Sequence, residues 1–161
     1  PVITMGDIVR REASKLGGVD EDSVAKVMLD YRRTYGEDVF ARLTEEEVEK
    51  VEEDVVLIDG VRSEAELKRF RTSGYKVVVI AVLAPPKVRF SRVMRRRRYD
   101  DVKSYEEFLK RDERELRVGL WRVLLYADKF MINEGENWEK AVKEAEGILK
   151  EVLSAELEEE V

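Results

Sequence analysis

The chain alternates short, continuous apolar runs with longer amphipathic stretches. Four runs rich in valine and isoleucine are typical of strands, at residues 2–4, 55–58, 77–83 and 130–132. A strand with one wet face would alternate polar and apolar side chains, whereas a strand of a parallel sheet covered on both faces is apolar throughout. The four runs therefore predict buried, parallel strands.

Signals for helix ends lie between these runs. Asp20 is placed to cap a helix that Gly36 would end, and Pro86 suits the first position of another helix. An apolar stripe over residues 138–152 predicts the last helix. Serine or threonine followed three residues later by glutamate predicts helix starts at Thr44, Ser63 and Ser104. The alternation of strands and helices predicts a doubly wound α/β fold, with a parallel sheet covered by helices on both faces.

The length of 161 residues suits one domain, and no repeat or flexible linker divides it, so we expect a single domain over residues 1–161. The longest uncharged apolar run, residues 77–86, is about half the length that a bilayer crossing needs. Cysteine is absent, which excludes disulfides and thiolate metal sites. These features predict no membrane partner and a cytoplasmic location.

Charge narrows the possible chemistry. Charged residues make up 41% of the chain, mostly Glu, Arg and Lys, which predicts a heat-adapted source. The net charge of −6 argues against a nucleic-acid partner. Because histidine is absent, catalysis by a histidine triad or a histidine-bound metal is excluded, and carboxylate, guanidinium and phosphate chemistry remains.

Polar residues follow the first two predicted strands, at the edge where α/β sheets bind ligands. Gly6, Asp7 and Arg10 follow the first strand, where Asp7 could instead cap a helix. Asp59 and Arg62 follow the second strand. A carboxylate held at a strand end suits a Mg²⁺ ion bound through water, although Asp59 could also cap the next helix and Arg62 could be an ordinary ion-pair partner.

An arginine-rich segment follows the third strand. Residues 87–98 contain seven basic side chains and no acidic one. Arg92 and Arg96 are four residues apart and project from one helix face, so they could clamp a phosphate. After the fourth strand, Asn133 and Gly135 could contact a base edge or could form an ordinary turn. Alternatively, the arginines form a nucleic-acid patch or pair with downstream acids at positions 100, 101, 106, 107, 112 and 113.

Taken in order, these segments resemble P-loop kinases of the adenylate kinase and dephospho-coenzyme-A kinase group. The likeness is strongest to an archaeal family related to both, through Met-Gly-Asp-x-Val-Arg at 5–10, Asp-Gly-x-Arg-Ser at 59–63 and Arg-Asp-Glu-Arg-Glu-Leu at 111–116. The resemblance implies a nucleotide-kinase-like P-loop fold with a helical acceptor-binding region over about 6–53. It also implies a short lid-like region over about 95–118.

The resemblance further implies a role for each candidate residue, with ATP and Mg²⁺ as cofactors and a nucleotide-like or dephospho-coenzyme-A-like acceptor. Acceptor binding would involve Gly6, Asp7, Arg10 and Arg62. ATP binding would involve Arg92, Arg96, Asn133 and Gly135. The catalytic group would be Asp59, which positions Mg²⁺ through water, with Arg98, Arg111 and Arg114 closing over the transferring phosphoryl group. Phosphoryl transfer needs such positioning and spread positive charge rather than covalent side-chain chemistry.

One departure from the kinase pattern is severe. The chain contains no Gly-x-x-x-x-Gly-Lys-Ser/Thr phosphate loop. In the kinases that loop and its strand come earlier than the position of Pro1, and the strand lies at the sheet centre. We therefore expect a segment before Pro1 and a central gap in the sheet of these residues. The alternatives are a non-catalytic nucleotide-binding or regulatory module and an RNA-associated protein that uses the arginine helix. The sequence does not predict an oligomeric state.

Overall fold

The computed structural model describes residues 1–18, 20–135 and 137–159, and side chains up to residue 155. Short strands alternate with helices along the chain, as the apolar runs predict. The strands are β1 (Val2–Thr4), β2 (Leu57–Asp59), β3 (Ile80–Leu83) and β4 (Lys129–Ile132). The helices are α1 (Met5–Lys15), α2 (Glu21–Tyr35), α3 (Val39–Val48), α4 (Glu64–Thr72), α5 (Pro86–Arg96), α6 (Tyr105–Val118), α7 (Leu120–Leu125) and α8 (Trp138–Glu159).

The strands form two parallel pairs. Strand β1 pairs with β2, with Ile3 opposite Ile58, and β3 pairs with β4, with Val82 opposite Met131. Parallel pairing confirms the strand direction that the continuous apolar runs predict. Within the described residues the two pairs are not hydrogen-bonded to each other.

Two strands are shorter than predicted, and the pairs are less covered than predicted. Residues 55 and 56 precede β2, and residues 77–79 precede β3, so only the carboxyl-terminal part of each apolar run forms the ladder. Several strand side chains are exposed in the part of the chain that the structure describes, among them Val2, Leu57, Val82, Phe130 and Ile132. Full coverage on both faces is therefore not observed within these residues.

The apolar core lies among the first four helices. Its buried members are Met5, Ile8, Val9, Met28, Val39, Phe40, Ala41 and Phe70. Burial of such side chains stabilises the fold by about 1.5–3 kcal/mol each. This core supports β1 and β2 and thereby positions the residues at the ends of these two strands.

A buried ion pair joins α2 to the start of α4. Arg32 Nη2 donates to Glu66 Oε1 at 2.5 Å, and both side chains are at least 95% covered. Burial raises the pKa of Glu66, although the Arg32 charge and two backbone N–H groups oppose that rise. Arg32 Nε and Nη1 have no hydrogen-bond partner among the described residues.

Most of the predicted helix ends are confirmed. Asp20 accepts a hydrogen bond from the Ser23 amide at 2.7 Å, and Gly36 ends α2 with φ of +102°, a conformation that favours glycine. At α4, the Ser63 and Glu66 side chains cap each other's backbone N–H groups reciprocally. Ser104 caps α6 by accepting from the Glu107 amide, and Pro86 opens α5.

One predicted helix start is wrong. Thr44 lies inside α3, fully buried, where its hydroxyl donates to the Phe40 carbonyl one turn earlier at 2.6 Å. A threonine can bond either to the amides that follow it or to the preceding turn, so the spacing to Glu47 is not decisive. None of the described helices is long and apolar enough to cross a membrane.

Candidate functional site

Arginines converge in a cleft between α5, α6 and the residues that follow β2. We call it the arginine cleft, and its volume is about 270 Å³. Five guanidinium groups and two carboxylates line it, which leaves it strongly positive. Its lining residues are Arg62, Arg89, Arg92, Val93, Arg96, Phe108, Arg111, Asp112 and Glu115. Phe108 packs under the cleft, with the Arg89 guanidinium 5.1 Å from its ring centre.

Arg89 is the arginine of the cleft that the protein holds most firmly. Its Nη1 and Nη2 atoms each donate to one oxygen of Asp112 at 2.7 Å, and its Nε donates to the Ala84 carbonyl at 3.0 Å. The Asp112 carboxylate raises the pKa of Arg89. With its donors engaged on two sides, Arg89 braces α5 against α6 and the end of β3.

Arg96 also has a carboxylate partner. Its Nε donates to the Asp101 oxygens at 2.9 and 3.1 Å, and its Nη2 donates at 2.5 Å. Burial tends to raise the pKa of Asp101, but the bonds from Arg96 and from the Arg98 amide outweigh it and lower that pKa. The alternative in which the arginine segment pairs with downstream acids is therefore correct for Arg89 and Arg96.

Arg62 and Arg111 share a single carboxylate. Glu115 Oε1 lies 3.5 Å from Arg62 Nε and 3.4 Å from Arg111 Nε. The Arg62 amide is itself anchored, because it donates to Glu66 Oε2 at 2.8 Å. The predicted acceptor-side arginine and the predicted lid arginine therefore meet at one acid.

A second cleft adjoins the first through Arg92. We call it the tryptophan cleft, and its volume is about 470 Å³. Arg92 Nη2 donates to Asn133 Oδ1 at 2.9 Å and to the Gly135 carbonyl at 2.8 Å. Trp138, 76% exposed, presents its indole there. The lining residues are Lys87, Val88, Ser91, Arg92, Arg95, Asn133, Gly135, Asn137, Trp138 and Ala141.

Asp59 lies at the end of β2, opposite Thr4 of β1. Its side chain makes no hydrogen bond or ion pair with the described residues, and Ser63 rather than Asp59 caps α4. No cluster of three acidic side chains suited to a metal occurs in the part of the chain that the structure describes. An exposed, unpaired carboxylate fits a Mg²⁺ ion that takes its other ligands from water and phosphate oxygens.

The predicted acceptor residues Gly6, Asp7 and Arg10 lie together at the start of α1. Arg10 is paired with Asp7 and, at 3.2 Å, with Asp100. Burial lowers the pKa of Arg10, but the two carboxylates outweigh it and raise that pKa. A Cβ on Gly6 would lie 3.4 Å from the Arg10 guanidinium. Because the helix begins at Met5 with no side-chain cap, Asp7 is not the helix cap.

Two predicted catalytic residues stay apart from the clefts. Arg98 follows α5 with an exposed side chain, and its amide donates to Asp101 Oδ2 at 2.8 Å. Arg114 lies on α6 and pairs with Glu21 of α2. Neither side chain lines the arginine cleft.

Several contacts of the site do not follow from the sequence argument, although positions 100 and 112 are named there as possible partners of the arginines. Asp112 and Glu115 belong to the Arg-Asp-Glu-Arg-Glu-Leu segment, and the spacing of four between Arg111 and Glu115 is a local signal for their contact. Asp100, buried with one oxygen unpartnered among the described residues, pairs with a residue 90 positions away. No local pattern predicts that contact. The sequence pattern places Trp138 in the apolar stripe of the last helix, but its side chain is exposed.

Comparison with known proteins places the chain in a family. The AAA domain family matches residues 1–109. A UPF0200 protein of Thermococcus onnurineus is 39% identical over 159 residues, covering 94% of this chain and 86% of the relative. UPF0200 proteins of Staphylothermus marinus and Methanothermobacter thermautotrophicus are 40% and 41% identical, covering 95% and 94% of this chain and 80% and 77% of those relatives.

These matches agree with the architecture. Parallel strands with intervening helices and a ligand edge rich in arginine are typical of the P-loop NTPase fold of nucleotide kinases. The predicted α/β, nucleotide-kinase-like fold class is confirmed. The relatives are from thermophilic archaea, as the charged composition predicts. The chain belongs to the UPF0200 family and carries an AAA-type, kinase-like P-loop NTPase domain.

Proposed function

We propose that the protein is an ATP-dependent phosphotransferase acting on a small, nucleotide-like or dephospho-coenzyme-A-like acceptor. ATP would place its phosphates in the arginine cleft and its base in the tryptophan cleft. The acceptor would bind beside Gly6, Asp7 and Arg10, with Arg62 between the two substrates. When bound, Mg²⁺ would neutralise phosphate charge, and Asp59 would orient it through water.

The observation that carries this proposal is the position of Arg92. Its guanidinium lines both clefts and bonds to Asn133 and Gly135, so it links the positive cleft to the neighbouring cleft with an exposed indole. A triphosphate joined to a flat heterocycle has the same two-part chemistry. Charge-assisted bonds suit the phosphates, and an aromatic face suits the base.

The chain's residues would contribute positioning and charge. Arg92 and Arg96 would contact the phosphates of ATP. Arg62 and Arg111 would contact the transferring phosphoryl oxygens, where positive charge stabilises the loose transition state. Arg98 and Arg114 would reach that group after movement of the lid-like region at about 95–118. The 161 residues contain no phosphate loop, and the assay uses the protein as its whole gene encodes it.

The test is a nucleotide-binding and transfer assay with Arg92→Ala. We expect ATP affinity or turnover to fall at least about tenfold, since one charge-assisted contact contributes about 1.5–3 kcal/mol. Arg117→Ala is the matched control, because that side chain is 81% exposed on α6. Acceptors to be tried are nucleoside monophosphates and dephospho-coenzyme A, with ADP formation as the readout.

Three other outcomes are informative. Unchanged ATP binding and transfer in Arg92→Ala would contradict the proposed phosphate site. ATP binding without transfer to any acceptor would favour the non-catalytic module. RNA binding that weakens steeply with salt, with no nucleotide binding, would favour the RNA-associated alternative.

A further inference from the structure

The arginines of the arginine cleft differ in how many partners they already have. Arg89 donates to two Asp112 oxygens and to a carbonyl, Arg96 donates to Asp101, and Arg92 donates to Asn133 and Gly135. Arg62 and Arg111, by contrast, each contact the same oxygen of Glu115. These two are the least committed guanidiniums of the cleft.

The geometry of that shared contact is loose. Its N···O distances are 3.5 and 3.4 Å, longer than the roughly 2.7–2.9 Å of a strong charge-assisted bond. One carboxylate oxygen thus lies between two cations without fully satisfying either. The three side chains are largely covered, at 19% exposure for Glu115, so water screens the contact only in part.

We propose that Glu115 is a counter-ion that occupies the place of a phosphate oxygen in the ligand-free cleft. Its charge holds Arg62 and Arg111 together against their mutual repulsion, and a phosphate that enters must displace it. Glu115 is therefore a positioning residue. Because a phosphate must displace it, Glu115 lowers the affinity of the cleft for phosphate. This inference rests on the proposed function, because it assigns a ligand to the same cleft.

The elements on each side of the contact explain why displacement is feasible. Arg62 is anchored through its amide to the capping box of α4, so its main chain stays in place when its side chain changes partner. Helix α6 is independently held by Arg89–Asp112 and by Arg114–Glu21. Glu115 can thus swing away without releasing either element.

The experiment measures tripolyphosphate binding by calorimetry to the full-length protein and to Glu115→Gln. Tripolyphosphate has no base, so it reports phosphate binding without a contribution from the cleft that contains Trp138, and the comparison between the two variants isolates the effect of Glu115. The matched control is Glu113→Gln, which removes the same charge from the same helix at a side chain that is 65% exposed and contacts Arg117. We expect Glu115→Gln to bind at least about fivefold more tightly than Glu113→Gln, because only Glu115 competes for the two guanidiniums.

A second readout follows the arginines directly. In ¹⁵N-labelled protein, the Nε–H signals of Arg62 and Arg111 should shift in Glu115→Gln and not in Glu113→Gln, and tripolyphosphate should shift the same two signals in the wild type. Glu115→Asp shortens the side chain but keeps its negative charge, so it tests whether the length of the Glu115 side chain matters. Its shorter side chain cannot contact both arginines at once, so it should also bind tripolyphosphate more tightly than the wild type does.

The outcomes separate this inference from the proposed function. If the wild type binds tripolyphosphate and Glu115→Gln binds no more tightly than Glu113→Gln, the counter-ion role is wrong while the phosphate site stands. If the wild type binds neither tripolyphosphate nor ATP, the proposed function fails and this inference fails with it.

Discussion

At the residue scale, the cleft uses arginine in two ways. Each of the three nitrogens of the Arg89 guanidinium donates to Asp112 or to a carbonyl, so Arg89 serves as a brace, whereas Arg92 links the two clefts through neutral oxygens. A guanidinium bonded to a carboxylate must exchange that partner to bind a phosphate, whereas the charge of one bonded to an amide or a carbonyl is not neutralised. Sequence position alone does not separate the two, since both lie on α5.

Asp59 provides a direct residue-scale prediction. Asp59→Asn keeps the shape of the side chain but removes the charge that would orient the water shell of Mg²⁺. We expect Mg²⁺-dependent ATP turnover to fall by two orders of magnitude or more, with unfolding unchanged, because no described side chain pairs with this carboxylate. Turnover and thermal unfolding are measured together. Full activity in Asp59→Asn would contradict the assignment.

Asp101 gives a prediction about pH. Its pKa in the folded protein is lowered, chiefly by Arg96 and the Arg98 amide acting against burial. A lowered folded pKa contributes stability above the unfolded value of about 3.9, and that contribution is lost as the pH falls through the folded pKa. Asp101→Asn should therefore lower the free energy of unfolding at pH 7. Below about pH 4, that free energy should fall less steeply with pH in the variant than in the wild type.

The control for Asp101 is Asp54→Asn. Asp54 is exposed in the loop before β2 and has no partner among the described residues. Both variants change the net charge equally. A denaturant titration at several pH values distinguishes them, and an identical acid slope in both would show that the Arg96 contact does not stabilise the fold.

At the element scale, the junction of α2 and α4 supports the site. Glu66 bonds to Arg32 and to the Arg62 and Ser63 amides, so one side chain joins a core helix to the residue that enters the cleft. Glu66→Ala would leave Arg32 buried without its partner. Loss of one member of a buried pair typically costs about 3–5 kcal/mol, whereas loss of a cap such as Ser63 in Ser63→Ala costs about 1 kcal/mol.

Chemical denaturation of both variants checks this difference. We expect the midpoint of Glu66→Ala to fall several times further than that of Ser63→Ala. Equal losses would indicate that the capping box, and not the pair with Arg32, makes the contribution of Glu66.

The elements also show what a sequence can predict. The ends of α2, α4 and α6 follow from caps whose donor and acceptor lie three residues apart, so they are readable locally. The start of α3 cannot be predicted from local sequence, because Thr44 bonds back to Phe40 and tertiary packing favours a start at Val39. Strand lengths depend on which neighbour is present, and only part of the apolar run at 77–83 finds a partner in β4.

At the scale of the whole molecule, long-range ion pairs assemble the site. Arg62 and Glu115 are 53 residues apart, and Arg10 and Asp100 are 90 apart. The sequence predicts that Arg10 and Arg62, which follow the first two strands, share one edge of the sheet, because parallel topology requires it. It does not predict which acid meets which base, since that depends on the packing of α6 against α2 and α5.

The central claim is that this edge of the molecule binds the phosphates and base of one nucleotide. It is tested most directly by a crystal structure of the full-length protein with a non-hydrolysable ATP analogue and Mg²⁺. We predict phosphate oxygens within hydrogen-bonding distance of Arg62, Arg92, Arg96 and Arg111. We also predict Mg²⁺ linked to Asp59 through water, and the base against Trp138. An analogue bound elsewhere, with Glu115 still between Arg62 and Arg111, would contradict the account.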